Sequence, residues 1–313
     1  MEAKWEPWPE AGRGNLMNTV SVLEIGGSHV TAALVDPVAQ AVCQRHELPL
    51  PQVAGREELI DAFVTAGRSV RAPIHGSWGV AIPGPFDYDR GIGRFQGVAK
   101  FEALNGVDLG GALRQALAAG TIRFLNDADA FGIGEAVAGA ARRHSRVLCL
   151  TLGTGVGSSF IADGHPVKHG NQVPPDGFVH LLTHAGRDLE DWMSRRALRR
   201  AYAQATGRHL DVIDIAALAR TGDPAAISVW QTALGAMALA IAPWIRRFGV
   251  GLVVVGGAIA RSWDVIEPLV VESFSAASTA VEVVRAERPE DAALLGAARW
   301  AIAPHQDTPG SRR

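Results

Sequence analysis

Cysteine is nearly missing from this chain of 313 residues, with Cys43 and Cys149 as the only two. They lie far apart, each beside apolar neighbours (Val42 on one side, Leu148 and Leu150 on the other). The expectation is two buried free thiols without a disulfide, as suits a reducing cytoplasm. An apolar leader is also lacking, since Met1-Glu2-Ala3-Lys4-Trp5-Glu6-Pro7 places charge and proline where a signal sequence has its hydrophobic stretch. No uninterrupted apolar run approaches the roughly 18 residues that cross a bilayer. A cytoplasmic protein without a membrane partner is expected. Nor does charge of one sign prevail. Thirty Lys and Arg stand against 32 Asp and Glu, for a net charge of −2, and no basic block is present to neutralise a run of nucleic-acid phosphates. Small-molecule partners are favoured, and nucleic acid is not expected.

Glycine, by contrast, is placed with purpose. Leu23-Glu24-Ile25-Gly26-Gly27-Ser28-His29 and Leu150-Thr151-Leu152-Gly153-Thr154-Gly155-Val156-Gly157 each run from an apolar, strand-like stretch into a turn poor in side chains. Backbone N–H groups approach a phosphate at close range only where side chains are absent, so two such turns suit a nucleotide's phosphates. Neither G-x-G-x-x-G nor G-x-x-x-x-G-K-[ST] occurs at the first turn, which disfavours the dinucleotide-binding and Walker classes. From Val20 to Asp36 the pattern is a hairpin with the glycines at its tip. Asn126-Asp127-Ala128-Asp129-Ala130 then puts a carboxylate at the start of a helix that Asn126 is suited to cap. A carboxylate so placed can take a proton from an attacking hydroxyl.

The rest of the chain alternates strands and helices, which predicts an α/β fold. Helices are expected over 57–69, 108–119, 126–143, 187–206, 224–248 and 291–303. Strands are expected over 76–82, 122–125, 146–152 and 251–257, the first ending at Pro83-Gly84-Pro85. Trp192 and Trp230, on the two long helices, suit packing between subunits or burial within the large domain equally well. The length exceeds one ordinary hydrophobic core, which predicts two lobes with a cleft. The expected division is a disordered 1–16, a small α/β domain over 17–125 completed by 291–303, a large α/β domain over 126–290 and a disordered 304–313, with Met17 as a possible start.

Taken in order, Glu24-Ile25-Gly26-Gly27-Ser28, Ile82-Pro83-Gly84-Pro85, Asn126-Asp127-Ala128-Asp129-Ala130, Leu152-Gly153-Thr154-Gly155-Val156-Gly157 and Val255-Gly256-Gly257 make the chain similar to the ROK family of sugar kinases and repressors, from about Val20 to Ala303. The resemblance implies a two-lobed actin-like ATPase (ribonuclease H-like) fold. It also implies an ATP-dependent kinase with Mg²⁺ whose acceptor is a hexose, an N-acylhexosamine or a cyclitol, and a homodimer. On this basis Asp127 is the general base. Asn126, His180, Glu190 and Gly84 bind the acceptor. Gly26, Gly27, Ser28, Gly153, Thr154, Gly155, Gly256 and Gly257 bind the nucleotide, and Glu24 holds Mg²⁺ through water. Three departures stand out. Glu24 occupies the place of the family's Asp, and Gly177 that of the glutamate in its E-x-G-H motif. The stretch from Asp176 to Glu190 lacks the three cysteines of the family's zinc site, so zinc is not expected. These departures motivate an alternative, a catalytically impaired ligand-binding or regulatory protein. A DNA-binding module, which needs roughly 60 residues or more, is not expected ahead of Glu24.

Overall fold

The computed structural model describes residues 19–304 except 52, 99, 278 and 279. The ends expected to be disordered, and the possible start at Met17, lie outside the described residues apart from Pro304. The chain forms two compact units. Of the described residues, the first holds those up to 130 together with 294–304, and the second those over 131–293.

In the first unit, β1 (Val20–Ile25) turns back as β2 (His29–Asp36), which turns back as β3 (Ala41–Pro49). After α1 (Arg56–Arg68) come β4 (Ser77–Ile82), the two-residue strands β5 (Phe86–Asp87) and β6 (Ile92–Gly93), α2 (Leu109–Ala116), β7 (Thr121–Asn126) and the start of α3 (Asp127–Ala138). The main sheet has the order β3-β2-β1-β4-β7, antiparallel through the hairpins and parallel from β1 to β7. Leu23, Ile25 and Val30 alternate onto the face where Leu59 and Phe63 of α1 complete the core. The C-terminal helix, Ala292–Ile302, is tied to β7 by Trp300 Nε1 donating to Phe124 O (2.9 Å) and by Arg123 Nη1 donating to Ala303 O (2.6 Å).

The second unit repeats the plan. Its strands are β8 (Arg146–Leu152), β9 (Val156–Ala162), β10 (His165–Pro166), the short pair β11 (Thr183–His184) and β12 (Arg187–Asp188), β13 (Leu252–Gly256) and β14 (Glu282–Arg285). The main sheet order is β10-β9-β8-β13-β14. The helices are α4 (Glu190–Met193), α5 (Arg195–Thr206), α6 (Val212–Arg220), α7 (Pro224–Phe248) and α8 (Trp263–Ala276). Among the described residues only α7 is long and apolar enough to cross a membrane. Its Trp230, Leu234, Met237 and Ile241 are fully buried in this unit's core. Glu135, fully buried near the end of α3, accepts backbone N–H bonds from Ala140 (2.8 Å), Glu287 (3.2 Å) and Arg288 (2.9 Å), so its charge is met by three donors.

Three expectations are corrected. The helix expected over 187–206 is β12, a single turn of helix and then α5. Ser194 adopts an extended backbone and its hydroxyl accepts from Ala197 N (3.2 Å), capping a new helix where the apolar spacing alone runs on. The helix expected over 126–143 begins at Asp127 and ends at Ala138, where the Glu135 carboxylate takes the Ala140 N–H. Of the two readings open for Trp230, burial holds, since it lies fully buried in its own unit's core. Cys43 is exposed, since β3 is an edge strand with most of its side chains open to solvent, while Cys149 is buried as expected.

Candidate functional site

Parallel pairing gathers chemistry at one edge of each sheet. In the first unit, Glu24 pairs with Ala81 and Ile82 with Asn126, so the C-terminal ends of β1, β4 and β7 share an edge. The turn Gly26-Gly27-Ser28, the segment Pro83-Gly84-Pro85 and Asn126-Asp127 all leave the sheet there, the place where open α/β sheets take their ligands. Glu24 is half-buried on β1, one residue before its end. Gly27 and Ser28 are exposed, and a methyl added to Gly27 meets nothing within 4 Å. The Gly26 N–H closes its own turn on His29 O (2.9 Å). Packing inside the protein therefore does not require a glycine at position 27.

Asp127 begins α3 and is half-buried. Its Oδ1 accepts from Ala128 N (2.9 Å), and the Oδ1 of Asn126 accepts from the same N–H (3.0 Å). Burial raises the Asp127 carboxyl above its ordinary pKa. The Ala128 N–H and the Asn126 side chain oppose that rise, and Asp129 adds to it. Asp129 is itself buried. Asn126 Nδ2 donates to the Tyr88 hydroxyl (3.2 Å), which donates in turn to Ile82 O (3.3 Å). A methyl placed on Gly84 would come 3.3 Å from that hydroxyl. Tyr88 is a site residue that sequence reasoning missed. It is one of two tyrosines in the chain, but nothing in its neighbours distinguishes it from an ordinary loop residue.

In the second unit, Gly256 of β13 pairs with Thr151 of β8, so the turn Gly153-Thr154-Gly155 and Gly256-Gly257 leave one edge. Gly153 N–H closes its turn on Gly155 O (3.0 Å), and Gly153 O accepts from Arg195 N at the start of α5 (2.9 Å). A methyl on Gly155 would lie 2.8 Å from Glu190 Oε1, which places that carboxylate over the turn. His180 is half-buried on a segment anchored by Ser158, whose hydroxyl donates to Gly177 O (2.6 Å) and accepts from Val179 N (3.0 Å). Burial lowers the pKa of His180, with Glu190 and Asp188 pulling the other way. Asp176 is exposed at a positive φ of 55°. Gly256 and Gly257 have internal reasons to be glycine. A methyl on the first would press into the Phe131 ring at 2.5 Å, and the second has φ +84° with Leu152 O 2.4 Å from where a Cβ would sit. No three His, Cys, Asp or Glu side chains gather as a metal-binding group among the described residues.

Two five-stranded sheets of one topology, each with a glycine hairpin tip beside the ends of its parallel strands, define the class: this is the two-domain actin-like ATPase fold. Its likeness extends to a ROK family glucokinase from Streptomyces griseus solved with glucose and AMPPNP, at a TM-score of 0.75 and 24% identity over 90% of this chain and 99% of that one. The ROK family model matches residues 20–303, and the chain belongs to that family. Glucokinase of Thermotoga maritima is 30% identical over 249 residues, covering 70% of this chain and 77% of its own. N-acetyl-D-glucosamine kinase of Yersinia pseudotuberculosis is 25% identical over 265 residues, covering 79% and 86%.

Proposed function

We propose that the chain is an ATP-dependent carbohydrate kinase that transfers the γ-phosphoryl group to a hydroxyl of a hexose or N-acylhexosamine, with Asp127 as general base. One observation carries the reading. A carboxylate at a helix start, fixed by Asn126 and Ala128, stands on the same sheet edge as an open glycine turn. Kinase relatives that act on glucose and on N-acetylglucosamine by name support the substrate class. The N–H groups of Gly27, Ser28, Thr154 and Gly155 are assigned to the phosphates, because those of Gly26 and Gly153 close their own turns. Gly256 and Gly257 shape the end of β13 for the adenosine. Asn126, Gly84, His180 and Glu190 are assigned to the acceptor, whose hydroxyls suit paired oxygen and nitrogen partners.

Glu24 offers the hard oxygen donor that Mg²⁺ prefers, and a cation that keeps several waters and leans on phosphate oxygens needs no cage of protein ligands. The residues present thus fit Mg²⁺ held through water by Glu24, where it supplies charge neutralisation on the transferring phosphate. Asp127 accepts the acceptor's hydroxyl proton as that oxygen bonds to phosphorus and the bond to ADP breaks.

An ADP-release assay over hexoses, hexosamines, gluconate-like acids and cyclitols tests the proposal. Turnover is expected with a hexose or an N-acylhexosamine. Nucleotide and sugar binding without turnover on any acceptor would establish the regulatory alternative instead.

A second expectation concerns Glu190. In Gly155→Ala the new methyl displaces the Glu190 carboxylate, a flexible group, so the fold is kept. Losing a hydrogen bond to a charged group raises the acceptor's KM by about tenfold. Steady-state kinetics in both substrates checks this, and an unchanged acceptor KM would separate Glu190 from the acceptor.

A further inference from the structure

Tyr88 stands outside every motif that carries the family likeness, yet its hydroxyl joins two elements of the proposed site. It donates to Ile82 O at the end of β4 (3.3 Å) and accepts from Asn126 Nδ2 at the end of β7 (3.2 Å). A carboxamide has one face that donates and one that accepts, and its orientation is set by its partners. With Nδ2 on Tyr88 and Oδ1 on Ala128 N, the Asn126 side chain is held at both ends. We propose that Tyr88 is a positioning residue for the acceptor hydroxyl, acting through Asn126, which it locks in the one orientation that serves both the acceptor and Asp127. The inference rests on the reading of Asp127 as base.

The ring has a packing role that does not depend on the hydroxyl, with its centroid 5.4 Å from that of Phe86, whose ring in turn lies 5.0 Å from Phe124. Tyr88→Phe therefore removes the two hydrogen bonds and leaves the aromatic cluster. Burial, with Asp127 and Asp129 adding, raises the phenol's pKa, so the hydroxyl stays protonated and able to donate. The groups identified as facing Asp127 are Asn126 beside it, Asp129 on α3 and Tyr88 from the segment after β5. Of these the Asn126 side chain favours the ionised carboxylate, and Tyr88 holds that side chain in place.

The experiment is the kinetics of Tyr88→Phe with the acceptor that the ADP-release panel selects. The expected result is a kcat lower by about tenfold, a raised acceptor KM and an unchanged ATP KM, the scale of a misplaced reacting group. The acid limb of the kcat/KM profile moves to higher pH, because a loosened Asn126 no longer favours the charged form of Asp127. A purely structural tyrosine would leave that limb where it is. Wild-type kcat, acceptor KM and pH limb in a folded Tyr88→Phe protein overturn the inference while leaving the base assignment intact. Full turnover by Asp127→Asn overturns the parent reading instead.

Should Tyr88→Phe fail to fold, the wild-type protein still answers. It holds only Tyr88 and Tyr202, so ¹³C-tyrosine NMR gives two ring signals, assigned with Tyr202→Phe. The Tyr88 signal is expected to shift when the selected acceptor is added and to stay put with AMPPNP alone. No shift with the acceptor overturns the inference.

Discussion

Asp127→Asn abolishes phosphoryl transfer while nucleotide binding survives. A positioned general base contributes roughly a hundred- to ten-thousand-fold to rate, and kcat is expected to fall by about a thousandfold. The substitution is nearly isosteric, and an asparagine at position 127 still offers an oxygen to Ala128 N, so α3 keeps its start. Burial, the first cause, puts the wild-type carboxyl above the ordinary range, with Asp129 adding to it and the Ala128 N–H and Asn126 moderating it. The base works only when ionised. Activity in the wild type should therefore fall on the acid side along a limb above the pKa of about 3.9 of an unperturbed aspartate. A direct ADP-release assay measures the rate, and titration with AMPPNP measures binding. Most of the turnover retained by Asp127→Asn would remove Asp127 from the base role.

The same residue makes a stability prediction of opposite sign. A carboxyl whose folded pKa lies above its unfolded one favours the native state in its protonated form. That contribution is complete below the unfolded pKa and is lost as pH rises through the folded one. At neutral pH the wild type carries the unfavourable, ionised side chain, and Asp127→Asn does not. The variant is expected to melt higher than the wild type at pH 7, with the difference shrinking as pH falls through the raised folded pKa and gone once pH is below the ordinary aspartate value. An enzyme that gains stability by losing its base stores strain at its site for catalysis.

The glycine turns and the helix start were legible because their signals are local. A hairpin from Val20 to Asp36 follows from two apolar strands around Gly26-Gly27, and the observed register from Val20–Val35 to Ile25–Val30 is the one that such a tip imposes. Asn126-Asp127 declared a helix start through cap chemistry. What stayed hidden depends on faces that short sequence windows do not resolve. The apolar spacing through Leu189, Met193, Ala197 and Leu198 is helical on both sides of Ser194 and conceals the break there. Cys43 looks apolar by its neighbour Val42, yet it lies on the outermost strand of its sheet. Tyr88 and Ser158 act through bonds to residues 38 and about 20 positions away, and no periodicity records such pairs.

Gly79→Ala separates a glycine needed by the fold from one needed by a ligand. Gly79 is in the middle of β4, which pairs with β1 on one side and β7 on the other. A Cβ there would lie 2.1 Å from Ala297 O and 2.6 Å from Ala297 C, backbone atoms of the C-terminal helix. That helix has no freedom to step away, because Trp300 holds Phe124 O and Ala303 O holds Arg123. Replacing glycine with alanine at an unstrained site stabilises by about 0.4–1 kcal/mol through the unfolded chain, whereas overpacking a core destabilises by about 1–3 kcal/mol. A methyl 2.1 Å from a backbone carbonyl oxygen, far inside van der Waals contact, puts Gly79→Ala at the upper end, about 3 kcal/mol less stable, and lowers the melting midpoint of the first unit by about 6–12 °C. Gly27→Ala, whose methyl meets nothing within 4 Å, should melt within a degree or two of the wild type, the scale of about 0.5 kcal/mol for a surface change. On the proposed assignment of this turn to the phosphates, it should bind ATP more weakly, because the added methyl occupies the open side of the turn. Calorimetric melting and nucleotide titration of the two variants read both effects. Equal melting temperatures for the pair would mean that the helix and β4 are not packed backbone to backbone, and unchanged ATP affinity in Gly27→Ala would remove the first turn from the nucleotide site.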